Sequence, residues 1–199
     1  MDSPTVSVVI PAYGHAAFIG DAVRSVLDQT TREPIEIIVV NDGSPDDTAG
    51  AVRPFVDAGQ VRYIEQTNAG QAAARNRGIA EASGTYVQLL DDDDVLTPGK
   101  IDRQLKCFAE HPNAVCVYGS YQRVDAALKP LPDATKHAML SGDVYDVFRE
   151  SCKMLSPGQA LFRRDAIDQV GGLDARIWGS DDWDLYIRLA KLGPFAFDG

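Results

Sequence analysis

Four consecutive aspartates, Asp91 to Asp94, follow directly on the apolar run Tyr86-Val87-Gln88-Leu89-Leu90. Such a run reads as a buried strand, so the carboxylates fall where that strand leaves a sheet. Adjacent carboxylates repel: two unit charges about 4 Å apart cost roughly 4 kcal/mol at an effective dielectric near 20. A divalent cation removes that cost, and oxygen ligands suit Mg²⁺ or Mn²⁺. The competing reading of the run in isolation is a solvated acidic turn capping a helix that starts at Thr97-Pro98. A second acidic group, Ser180-Asp181-Asp182-Trp183, opens a helical stretch. A helix dipole favours acids in its first turn by about 0.3–1 kcal/mol, which accounts for one of the two. The pair also stands beside Trp178 and Trp183, and apolar walls raise a carboxylate's proton affinity, as a general base requires.

Three other segments fall at the same sheet edge. Asp42 follows an apolar run in Val39-Val40-Asn41-Asp42-Gly43-Ser44. An aspartate before glycine is ordinarily a turn residue; its functional reading is a carboxylate accepting an N–H from a ligand such as a nucleobase. Pro11-Ala12-Tyr13 ends the first apolar run and offers backbone groups and one aromatic ring to the same pocket. In Asn68 to Gly78, small residues let a helix N-terminus approach a ligand closely, and that end favours anions. Arg75 and Arg77 are two cations there, facing phosphate or the acidic cluster in one reading and pairing with surface acids in the other. His15, His111 and His137 are dispersed and form no metal or nucleophile motif. A further histidine ligand beyond Gly199 stays open.

The elements that position these residues alternate. Val6 to Ile10, Ile35 to Val40, Val61 to Glu65, Tyr86 to Leu90 and Ala114 to Tyr121 read as strands. Helical patterns run from about Ala16 to Gln29, from a Ser44 N-cap to about Asp57, from Gly70 to Ala82 with Gly84 as C-cap, and from Pro98 to Glu110. Alternation of this kind predicts an α/β fold, a mostly parallel sheet with helices on both faces. Carboxyl ends of strands in such sheets are where ligands bind. The second part is less regular: a loop at Lys129 to Pro132, a short helix within Asp143 to Cys152, a strand at Gln159 to Phe162, a turn at Gly171-Gly172 and a helix over Asp182 to Lys191. Another strand begins at Phe195-Ala196-Phe197, where the sequence stops; this reads as a truncated C-terminus.

The chain of 199 residues is 45% hydrophobic and 24% charged, which suits one domain with a sizeable core. Its 29 acidic residues against 19 basic give a net charge of −10, which argues against nucleic acid as a partner. Cys107, Cys116 and Cys152 lack metal-ligand spacing and read as reduced thiols, in keeping with a cytoplasmic setting. No stretch approaches a membrane span, and Met1 to Pro4 does not read as a signal peptide; peripheral membrane contact needs neither.

Together these residues resemble glycosyltransferase family 2, the inverting enzymes of the GT-A fold. VSVVIPAYGHAAFI, IIVVNDGSPDDT, NAGQAAARNRG and YVQLLDDDDVLTPGKI match its successive motifs in order; LSPGQALFRRD, VGGLD and SDDWDLYIRL match its acceptor-side half. The resemblance covers residues 5 to 195. It implies a single domain over 1–199, with a nucleotide-sugar half over about 5–122 and an acceptor-side half over about 123–199. It implies a nucleoside-diphosphate sugar donor, by default a uridine one, and a hydroxyl acceptor on a glycan or lipid-linked sugar. Pro11, Ala12, Tyr13 and Asp42 would hold base and ribose, with Arg75 near the nucleotide. Asp91 and Asp93 correspond to the family's DxD aspartates, Asp93 as metal ligand with Asp91, and Asp92 near the ribose or sugar. Mg²⁺ or Mn²⁺ is the implied cofactor. Asp182 takes the place of the catalytic base, preceded by Asp181 where the family more often has glutamate. The motif and membrane spans of processive synthases are absent, which points to one sugar per encounter. Bacterial surface-polysaccharide assembly is the implied setting. The rivals are a non-catalytic nucleotide-sugar-binding module and a sugar-phosphate nucleotidyltransferase; the latter expects a basic, glycine-rich loop that Pro11 to His15 does not supply.

Overall fold

The computed structural model describes residues 5–132 and 139–199; Met1 to Pro4 and His137 lie outside the described residues. Val6–Ala12 (β1) is buried along its whole length. It pairs in parallel with Ile35–Asn41 (β2) on one side and Tyr86–Leu89 (β4) on the other. Arg62–Glu65 (β3) adds to β2, also in parallel. A strand covered on both faces reads as a near-continuous apolar run, as β1 and β2 do apart from Ser7, Glu36 and Asn41. Cys116–Tyr118 (β5), Ala160–Arg163 (β6) and Phe195–Phe197 (β7) complete a seven-stranded sheet of order β3-β2-β1-β4-β6-β5-β7.

Ile19–Leu27 (α1), Thr48–Asp57 (α2) and Lys100–Glu110 (α4) cover one face, where Ile19, Val23, Val52, Ile101 and Phe108 pack with Val8 and Ile10 of β1. Gln71–Glu81 (α3), Tyr145–Glu150 (α5), Arg164–Val170 (α6) and Asp181–Leu192 (α7) cover the other, with Ala74, Ile79, Phe148, Ile167 and Leu185 against Val9. The alternation of β1 side chains between the two faces is the period of two that a strand imposes.

The structure departs from the sequence reading in five places. The strand expected over Ala114 to Tyr121 is only β5, and β6 inserts between it and β4, antiparallel to both. The second part of the chain therefore builds into the same sheet. Ser44 does not cap α2. Asp47 does, accepting from Gly50 N at 3.1 Å, while Ser44 and Pro45 belong to a turn that Asp46 organises. Gly84 is not a C-cap: α3 ends at Glu81, and a Cβ on Gly84 would lie 2.7 Å from Ser7 N, so glycine is needed for close approach to β1. Helix α4 begins at Lys100, because Gly99 takes a left-handed φ of 72°. Helix α6, closed by Gly171 in the left-handed region, was not anticipated.

Candidate active site

Parallel pairing of β1, β2, β3 and β4 brings their carboxyl ends to one edge. Asp42, one residue past β2, is buried and accepts from Gln66 Nε2 at 2.8 Å, Ala69 N at 2.9 Å and Gly70 N at 2.8 Å. A carboxylate offers about four lone-pair sites, so little capacity is left for a ligand. Its work in this structure is to pin the loop that opens α3. Gly43 makes that approach possible: its φ is 65°, and a Cβ would fall 2.9 Å from Asn68 N.

The four aspartates part company once folded. Asp91 accepts from Arg75 Nη2 at 2.5 Å and from Gln71 Nε2 at 3.2 Å. Asp92 is buried and accepts from Tyr13 N at 2.9 Å, with His15 Nδ1 at 2.8 Å. Asp94 accepts from Ser156 Oγ at 2.7 Å. Asp93 is exposed, and among the described residues nothing hydrogen-bonds its side chain. Burial raises the proton affinity of Asp92 against the pull of His15. The hydrogen bond to Asp92 in turn raises that of His15. Burial, then the like charges of Asp91, Asp93 and Asp92, raise that of Asp94.

His15 is the residue that sequence reasoning passed over. With Asp92 and Asp93 it offers three ligand atoms within 4.8 Å of one another. The expectation that no histidine joins a metal-type cluster is therefore corrected. The signal was available, since His15 stands two residues beyond Tyr13 on a segment already assigned to this edge.

Arg75 is buried and spans the site, Nη2 on Asp91 and Nη1 on Asp181 Oδ2 at 3.0 Å. It faces the acidic cluster, whereas Arg77 lies on the surface and pairs with Glu81 at 3.1 Å. Asp182, next along α7, accepts from Trp183 N at 2.7 Å and lies 3.5 Å from the Tyr186 hydroxyl. Burial raises its pKa from the ordinary aspartate value, and the Trp183 N–H and Arg75 oppose that shift only in part. The two acids thus differ: Asp181 is committed to a cation, and Asp182 keeps lone pairs free. The apolar wall expected from both tryptophans is met only in part: Trp178 lines the cavity with Asp181, and Trp183 does not. Trp178 is 94% exposed, and Trp183 instead anchors α7 by donating to Phe148 O at 2.6 Å.

A cavity of about 450 Å³ opens between these elements, lined among others by Pro11, Ala12, Tyr13, Asp42, Asp92 and Asp181. Its size is that of a small-molecule site. Arg75, Asp91, Asp93 and Asp182 are not among its lining residues. A second hollow of about 450 Å³, beside Tyr145 and Pro194, contains none of the motif acids.

Over residues 7–171 the sequence matches the family model described as Glycosyl transferase family 2. The chain belongs to that family. It is 36% identical over 186 residues to an uncharacterized glycosyltransferase of Rickettsia bellii, a match covering 94% of this chain and 26% of that protein. A chondroitin synthase of Escherichia coli is 28% identical over 193 residues, covering 96% of this chain and 27% of the relative. The chain thus spans about a quarter of the length of these relatives. Among solved structures, S. aureus TarS 1–349 superposes with a TM-score of 0.77 at 17% identity, over 97% of this chain and 60% of TarS. A Pyrobaculum calidifontis mannosyltransferase in complex with GDP-Man and Mn²⁺ gives 0.72 at 22% identity, over 99% and 55%. These likenesses establish a GT-A-type fold for the family 2 chain. No helix among the described residues is long and apolar enough to cross a membrane.

Proposed function

We propose that this family 2 chain transfers one sugar from a nucleoside-diphosphate sugar to a hydroxyl acceptor, with inversion and with a divalent metal. One observation carries the reading: of four adjacent carboxylates, three are committed to Arg75, to Tyr13 and His15, and to Ser156, and Asp93 is left exposed beside Asp92 and His15, which line the cavity. Burying or fixing three acids around one unpaired carboxylate has a cost that a bound cation offsets. The carboxylates of Asp93 and Asp92 suit Mn²⁺ or Mg²⁺, and His15 close by, as an imidazole, favours the transition metal Mn²⁺ of the two. Bound there, such an ion supplies charge neutralisation for the diphosphate as it leaves.

The chain's own residues do the rest. Tyr13 and the backbone of Pro11 and Ala12 form the wall for base and ribose. Asp42 acts on the nucleotide mainly through the Asn68 to Gly70 loop that it holds. Arg75 balances Asp91 and Asp181 near the nucleotide. Asp182 takes the proton from the acceptor hydroxyl as its oxygen attacks the anomeric carbon, and the bond to the diphosphate breaks with its electron pair on the phosphate oxygen. One displacement with one base inverts the centre. A uridine donor is favoured by TarS, solved in complex with UDP and with UDP-GlcNAc; a guanosine donor is favoured by the mannosyltransferase complex. The acceptor is a glycan or lipid-linked sugar of a bacterial surface polymer, met in the cytoplasm with peripheral membrane contact.

The test is release of nucleoside diphosphate from a panel of UDP- and GDP-sugars with Mn²⁺. We expect release that chelator removes and that Asp93→Ala lowers at least a hundredfold, the order of one lost electrostatic contact in a transition state. Equal release by the variant, or release indifferent to chelator, would contradict the reading.

A further inference from the structure

Lys100 is buried at the start of α4, and no carboxylate lies within ion-pair distance of it among the described residues. The charge of Asp198 opposes the effect of burial on Lys100 most strongly. A methionine would fill the same space without the desolvation that an ammonium suffers. What the ammonium adds is donors. It donates to Gln88 Oε1 in β4 and to Gln104 Oε1 in α4, the latter at 2.7 Å.

In its charged form Lys100 has no acceptor capacity, so it meets each glutamine only at its carbonyl end and fixes which way both amides point. The Gln88 Nε2 is thereby turned to the carbonyls of Pro157 at 3.4 Å and Gly158 at 3.2 Å, as well as Leu89 O at 2.6 Å. The Gln104 Nε2 is turned to Gln159 O at 2.8 Å. Pro157, Gly158 and Gln159 form a single 3-10 turn, so one cation orients two amides that hold all three of its carbonyls. The turn's cap is Ser156. Its main-chain N–H and that of Leu155 donate to Gln159 Oε1, and its hydroxyl donates to Asp94. Asp94 N in turn bonds Asp91 O at 3.2 Å, closing the bend that presents Asp93.

We infer that Lys100 is a positioning residue for the aspartate bend: through Gln88, Gln104 and the Pro157–Gln159 turn it sets Ser156 under Asp94, and so sets where Asp93 meets a divalent ion. This rests on the reading of Asp93 as metal ligand. It assigns a functional part to a buried polar network that lies outside the cavity.

A double-mutant cycle tests it. Binding of UDP, and of GDP, in Mn²⁺ is measured by calorimetry for wild type, Lys100→Met, Ser156→Ala and the pair, with thermal melting alongside. Supporting residues behind a metal ligand typically carry 10- to 100-fold in affinity. Each single variant should therefore weaken Mn²⁺-nucleotide binding about tenfold, and the pair should be no weaker than the worse single variant. Gln104→Met replaces Lys100→Met in the cycle should the latter not fold. Wild-type affinity in Lys100→Met, or effects that multiply in the pair, would overturn the inference while leaving the metal reading intact. Absence of Mn²⁺-dependent nucleotide binding in wild type would overturn both.

Discussion

At the scale of single residues, the chemistry divides by which carboxylates still have lone pairs to give. Asp182 keeps them, and burial raises its pKa from the ordinary aspartate value. A base must be deprotonated to act, so the acid limb of kcat should fall in a pH range above that of an exposed aspartate. Asp182→Asn should lower kcat by two to four powers of ten, roughly the contribution of a general base, while nucleotide binding measured by calorimetry stays within twofold. Loss of binding with kcat preserved would assign the residue to the donor instead. The four aspartates and the SDDW segment stood out in the sequence as candidates for chemistry, and the structure brings both to Arg75. Their division of labour was not, because it depends on partners up to 106 positions away, such as Arg75 for Asp181. His15 escaped for the same reason, 77 positions from Asp92.

At the scale of elements, the site is a set of loops tied to one another by acids, Asp42 and Asp92 buried and Asp46 exposed. Asp42 ties the β2 loop to α3, Asp92 ties the β1 loop to the end of β4, and Asp46 accepts from Ala16 N at 2.8 Å across the first two loops. Arg75 ties α3 to α7. Removing one partner of a buried ion pair leaves the other uncompensated and costs about 3–5 kcal/mol. Arg75→Met should lower stability by that order in urea unfolding, with two acids released at once; a loss below 1 kcal/mol would mean that the pairs are solvated. Gly43→Ala forces a left-handed backbone on a side chain against Asn68 and should cost about 1–3 kcal/mol. The strands and helices of the first 110 residues were readable from their periodicity. The N-terminus of α2 was misread because Ser44-Pro45-Asp46-Asp47 supplies good cap residues at two positions, and the tie from Asp46 to the β1 loop decides between them.

At the scale of the whole molecule, one sheet carries both parts of the chain, and the insertion of β6 between β4 and β5 sets the Pro157–Gln159 turn beneath the aspartate bend. No local pattern announces that insertion, since sheet order follows from packing of distant segments. Its polar interior has a thermodynamic mark. Burial pushes Lys100 down from 10.5 to about 7. Between those values the unfolded chain binds more protons than the folded one, so stability rises with pH across that window. Urea midpoints at pH 7 and pH 9 should show wild type gaining on Lys100→Met; an equal change in both would exclude a buried, neutralising Lys100. The central claim, that Asp93 holds a divalent ion for a nucleotide-sugar donor, is tested most directly by titrating UDP and GDP with and without Mn²⁺ into wild type and Asp93→Ala. We predict binding that needs Mn²⁺ in wild type and is lost in the variant. Mn²⁺-dependent binding of equal strength in both proteins would contradict the assignment of Asp93.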